Sequence, residues 1–125
     1  MLRLPSLGEL DAGFGVRIYL CTGPTDMRKG FDTLAALVRE HLGHDPLSGH
    51  LFLFVGRDRD RIKILYWDAD GFALWYKRLE EGTFRLPAAS KAGVSVELKP
   101  SELAMLLAGI DLTSIKRRQR FVKPA

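Results

Sequence analysis

The chain has 125 residues, 46% of them hydrophobic, and a formal net charge of +4. That length supports one domain with a real core and is short for two, while no apolar run approaches the roughly 20 residues that span a bilayer. The lone cysteine, Cys21, excludes an internal disulfide, and MLRLPSLGELDAGFG is too polar for an export signal, so a cytoplasmic protein with no membrane partner is expected.

In chain order, VRIYLC at 16–21 is a short β-rich run that Gly23 and Pro24 end. GPTDMRKGFDTL follows, and it opens a helix against the usual preferences. Thr25 is a good N-cap and Asp26 suits the dipole, but Arg28 and Lys29 put two cations into the same turn. Gly30 then costs about 1 kcal/mol relative to alanine inside a helix. Met27, Phe31, Leu34, Ala35, Val38 and Leu42 recur at helical spacing, so a helix is expected over 25–42, with Gly43 as its stop.

LFLFV at 51–55 and RIKILYW at 61–67 read as strands joined through GRDRD. DADG at 68–71 turns into a third strand, FALWYKRL, and EEG leads into a fourth, TFRL at 83–86. VSVEL at 94–98 is a further strand, and Pro100 with Ser101 opens a last helix carried by ELAMLLAGI. The expected fold class is α+β. A single domain over 1–115 packs an antiparallel meander with an N-terminal amphipathic helix and a C-terminal helix, and a tail follows over 116–125.

The charge is unevenly placed. Five of the 19 Lys and Arg, and none of the 15 acids, lie in KRRQRFVK at 116–123. Lys116, Arg117, Arg118 and Arg120 of this tail suit a polyanionic partner, nucleic acid above all; a merely solvated end is the alternative. Within the meander, Arg57, Arg59, Arg61 and Lys63 alternate, and would share one side if strand pairing extends that far. Lys77 has the parity of Trp75, and Arg78 that of Tyr76. Guanidiniums for phosphates and rings for stacking suit DNA. The plainer alternative puts Tyr66, Trp67, Phe72 and Trp75 in the core and pairs the arginines with Asp58 and Asp60.

No metal or catalytic constellation is expected. An EF-hand calcium loop needs Glu at its last position, and counted from Asp68 that position is Leu79. His41, His44 and His50 fit no compact zinc motif, and GPTDMRKG is no P-loop, because Lys29 precedes its glycine and no Ser or Thr follows it. The opening of the first helix keeps two explanations. A phosphate seated at its N-terminus would reconcile Arg28, Lys29 and Gly30; alternatively Gly30 allows tight packing on the sheet while Arg28 pairs with Asp32.

TDMRKGFDTLAALV, DPLSGHLFLF and DRIKILYWDADGFALWYKRLEEGTF together resemble the small TnpB-type, Orf2-like accessory proteins of bacterial insertion sequences of family sixty-six. The resemblance runs from about Gly15 to Asp111. It implies a helper encoded beside a separate transposase that owns the strand-transfer chemistry. Its motif positions here are Thr25 to Gly30, then Arg61, Ile62, Lys63, Trp67, Asp68 and Gly71, and finally Tyr76 to Leu79. Tyr66 and Leu86 stand where the family often has Trp, which weakens a stacking role at position 86. The expected function is therefore non-enzymatic, without a cofactor: DNA binding in support of the transposase through Arg28, Lys29, Gly30, Arg57, Arg59, Arg61, Lys63, Lys77, Arg78 and the tail. The alternative is a module that docks on the transposase with little DNA binding of its own.

Overall fold

The computed structural model describes residues 15–87 and 94–109. Strand β1 (Ile18–Cys21) is followed by helix α1 (Phe31–Leu37), which continues as one π-helical turn over Val38–Leu42. Strands β2 (Leu51–Val55), β3 (Arg61–Asp68) and β4 (Gly71–Arg78) form the meander, and β5 (Ser95–Leu98) leads into helix α2 (Pro100–Ala108). The strands make one sheet in the order β4-β3-β2-β1-β5. β1 runs parallel to β2 and the other pairings are antiparallel, so the α+β domain rests on a mixed sheet. α1 supplies the crossover that a parallel pair requires.

Both faces of the sheet are covered, which is why β2 is an unbroken apolar run, buried at every position. Leu51, Leu53 and Val55 pack with Ile62, Ile64 and the α2 residues Leu103 and Leu106. Phe52 and Phe54 face the other way, onto Leu65, the α1 residues Leu34 and Ala35, and Val38 of the π-helical turn. Cys21 is a free thiol buried on that second side. Gly43 ends the helical segment in the left-handed conformation at φ 70°, as its position suggested. At α2, Pro100 sits in the first turn and the Glu102 carboxylate accepts the Lys99 N–H at 2.9 Å.

Two elements differ from expectation. The first helix does not start at Thr25, which is 7% exposed and donates its N–H to the Val55 carbonyl at 2.9 Å. Asp26 instead folds the next residues into a turn. Its Oδ1 accepts the Arg28 N–H at 2.9 Å and its carbonyl accepts the Lys29 N–H at 3.1 Å. A short acidic side chain that bonds nearby amides competes with helix in this way, and α1 begins only after an extended Gly30. Residues 83–86, expected as a fourth meander strand, form none. The chain instead folds back over the β2–β3 turn, Leu79 N–H donating to the Asp60 carbonyl and Phe84 N–H to the Arg59 carbonyl, both at 2.7 Å. Phe84 then plugs the α2-side core.

The loop histidines are used in packing. His44 stacks on Tyr19 with ring centroids 4.0 Å apart, and His50 Nδ1 accepts the Arg17 N–H at 3.0 Å. Burial, with the Arg17 and His44 charges, pushes His50 below its ordinary value of 6.5. A histidine held neutral contributes stability that is complete above the ordinary value and lost as pH falls through the lowered one. The melting temperature should therefore fall on acidification from about pH 7 to about pH 5, and fall less in His50→Gln. Identical profiles for the two proteins would remove His50 as the cause. No helix among the described residues is long and apolar enough to cross a membrane.

Candidate functional site

The β3–β4 hairpin pairs in full register because a two-residue turn closes it. Asp68 stands opposite Gly71, and Ala69 takes the left-handed conformation at φ 53°. That register fixes the cross-strand pairs Arg61–Arg78, Lys63–Tyr76, Leu65–Leu74 and Trp67–Phe72. Alternation puts all eight on the face that carries α1, since Leu65 packs beneath that helix. The face thus runs from aromatic at the turn to cationic at the open end. Arg61 and Arg78 lie directly opposite one another, an arrangement that disfavours the sheet by roughly 0.2–1 kcal/mol. Glu80 lies 3.3 Å from Arg78, whereas Arg61 has no ion pair among the described residues. Arg61, Tyr76, Arg78 and Glu80 line a shallow pocket.

Lys63 does something different from its neighbours. It is 7% exposed, and its Nζ donates to the carbonyls of Met27 and Lys29, both at 2.7 Å. The same ammonium lies 4.7 Å from the centre of the Tyr76 ring. Lys63 therefore clamps the TDMRKG loop onto β3 and presents no charge to solvent. Gly56 completes the seat, because a Cβ there would come within 2.9 Å of Met27 Cγ.

The loop carries its own cations. Arg28, with a side chain 91% exposed, grips Asp26 through Nε at 3.0 Å and Nη2 at 2.7 Å. This holds the Asp26 carboxyl well below the usual carboxylate range. Neither the Asp32 pairing nor close packing at Gly30 is present, since a Cβ at Gly30 would meet nothing within 4 Å. Lys29 sits beside the clamp with its carbonyl on Lys63.

The other candidates are dispersed. Arg57 and Arg59 are exposed on the β2–β3 turn, where they line a pocket of about 130 Å³ with residues at the carboxyl ends of the parallel strands β1 and β2. The ion pairs among the described residues are Arg17–Glu97, Arg28–Asp26 and Arg78–Glu80, so Asp58 and Asp60 form no close ion pair with Arg57 or Arg59. Lys77 stands opposite Ile62 and shares the α2 face with Trp75. Lys116, Arg117, Arg118 and Arg120 lie outside the described residues. Trp75 is half-buried against the α2-side core, and Trp67 meets Phe72 edge-on at 5.1 Å. The aromatic that faces solvent within the cationic face is Tyr76, 48% exposed. Its position opposite Lys63 could have been found by counting outward from the DADG turn. Among the described residues, no three His, Cys, Asp or Glu side chains converge as metal ligands would.

A family model described as IS66 Orf2 like protein matches residues 16–117. Two proteins of Sinorhizobium fredii (strain NBRC 101917 / NGR234), both named only as uncharacterized, are similar to this chain. Protein y4hO is 43% identical over 102 residues, covering 82% of this chain and 87% of that protein. Protein y4jC is 38% identical over 104 residues, covering 83% and 87%. No solved structure matches significantly. The chain belongs to the IS66 Orf2-like family, whose role is an accessory one in insertion-sequence transposition.

Proposed function

We propose that the protein assists its element's transposase by contacting DNA without catalysing a step. The contact runs over the α1 face of the β3–β4 hairpin. Arg61 and Arg78 lie on the sheet, Arg28 and Lys29 lie on the clamped loop, and Arg57 and Arg59 stand at the adjoining turn. The basic tail adds contacts to phosphates without reading bases. The observation that carries this reading is the Arg61–Arg78 pair. Two guanidiniums placed opposite each other weaken the hairpin, and a bound phosphate chain would relieve that repulsion.

The test is Arg61→Gln combined with Arg78→Gln in the full chain, read by fluorescence anisotropy on transposon-end and random duplexes. Affinity should fall on both, and the slope of log affinity against log salt should become shallower by about 2 if each cation neutralises one phosphate. Melting temperature should hold or rise slightly. Wild-type affinity and slope in the variant would take this face out of the contact. A wild-type protein that binds neither duplex nor single strand, yet co-purifies with the transposase, would make docking on the transposase the function instead.

A further inference from the structure

Resting on that reading, we infer that the shallow pocket between Arg61 and Arg78 takes an unpaired base of single-stranded DNA, stacked on Tyr76. Three features of the pocket point to this ligand. Tyr76 is one of the few large apolar side chains left exposed among the described residues, at 48%. It lies on β4, the outermost strand of the sheet, so no further described strand flanks it. Its ring is also held in place, because the Lys63 ammonium 4.7 Å from its centre is itself fixed by two backbone carbonyls. A ring restrained on one side loses less freedom when a base stacks on it.

The surrounding charges fit a nucleotide rather than an apolar ligand. Arg61 and Arg78 line the pocket from the two strands, and their guanidiniums can take the phosphates on either side of a stacked base. Glu80, which also lines the pocket, lies 3.3 Å from Arg78. A duplex cannot use such a pocket, since its bases present their faces to one another and not to the protein. Single-stranded DNA offers both a free π-face and the flexible backbone that the two arginines require.

The experiment compares wild type and Tyr76→Leu on a labelled mixed-sequence single strand and on a duplex of the same composition. Leucine keeps apolar bulk and removes stacking. We expect single-strand affinity to fall about 5- to 100-fold, with a loss on duplex several times smaller. Tyr76→Trp adds a direct reporter: saturating single strand should quench its fluorescence beyond what wild type shows from Trp67 and Trp75. Equal losses on both DNAs, or no extra quenching while single strand is bound, would overturn base stacking at Tyr76. Either result leaves the DNA-contacting function standing. Wild-type protein that binds no DNA of either kind would remove both.

Discussion

Lys63→Met should lower the melting temperature by roughly 8–12 °C, although it deletes only a charge from a side chain of nearly the same length. The buried ammonium bonds the Met27 and Lys29 carbonyls at 2.7 Å each, and hydrogen bonds to a charged donor are worth about 1.5–3 kcal/mol apiece. Those gains are not simply additive, because methionine avoids the desolvation that a buried ammonium suffers. Water can also reach part of the loosened loop. A net loss of about 2–3 kcal/mol is the outcome of that balance. Hydrogen exchange should speed up at the Arg28 and Lys29 amides, whose own bonds to Asp26 depend on the loop staying seated. DNA affinity should drop with it, through Arg28, Lys29 and the freed Tyr76 ring. An unchanged melting curve with unchanged exchange would show that the clamp is dispensable and that the Asp26 turn alone shapes the loop.

The clamp also shows where the sequence is legible and where it is not. The first three meander strands, the DADG turn, the Gly43 stop and the Pro100 start follow from short-range chemistry, and each lies where the local pattern puts it. α1 starts later than the local pattern puts it because Thr25 and Asp26 satisfy capping rules equally well in a turn. The turn also has a partner that capping rules do not see, Lys63, 36 residues beyond Met27. No local window contains both ends of that contact. The same distance hides the role of Lys63: its alternation with Arg61 suggested a charged stripe, yet its parity with Leu65 equally marked a position facing the core. TFRL departs from its strand pattern for a related reason. Apolar residues can fill a ladder or a plug, and the backbone bonds from Leu79 and Phe84 to the β2–β3 turn leave Phe84 as a plug.

The largest stability loss should come from Phe54→Ala. Phe54 is fully buried, lies opposite Lys63 across the β2–β3 pairing, and packs in the cluster that holds Leu34 and Ala35 of α1 and Val38 just beyond it. Removing a buried phenyl ring typically costs about 3–5 kcal/mol, part from lost transfer free energy and part from the cavity left behind. Against a total stability of roughly 5–15 kcal/mol for a domain, that is a third or more in the common case. Collapse into the cavity is resisted from both sides. β2 is pinned between β1 and β3, and β3 is held to the loop by Lys63. Phe54→Leu, which refills most of the space, should lose far less. Equilibrium denaturation in urea should therefore rank the variants wild type, Phe54→Leu, Phe54→Ala, with α1 amides losing more protection than α2 amides because α2 packs on the opposite face. A Phe54→Ala loss below about 1 kcal/mol would mean that α1 settles into the vacated volume. The helix would then be a loosely held cover, and the geometry of the DNA face would depend on the sheet and the Lys63 clamp alone.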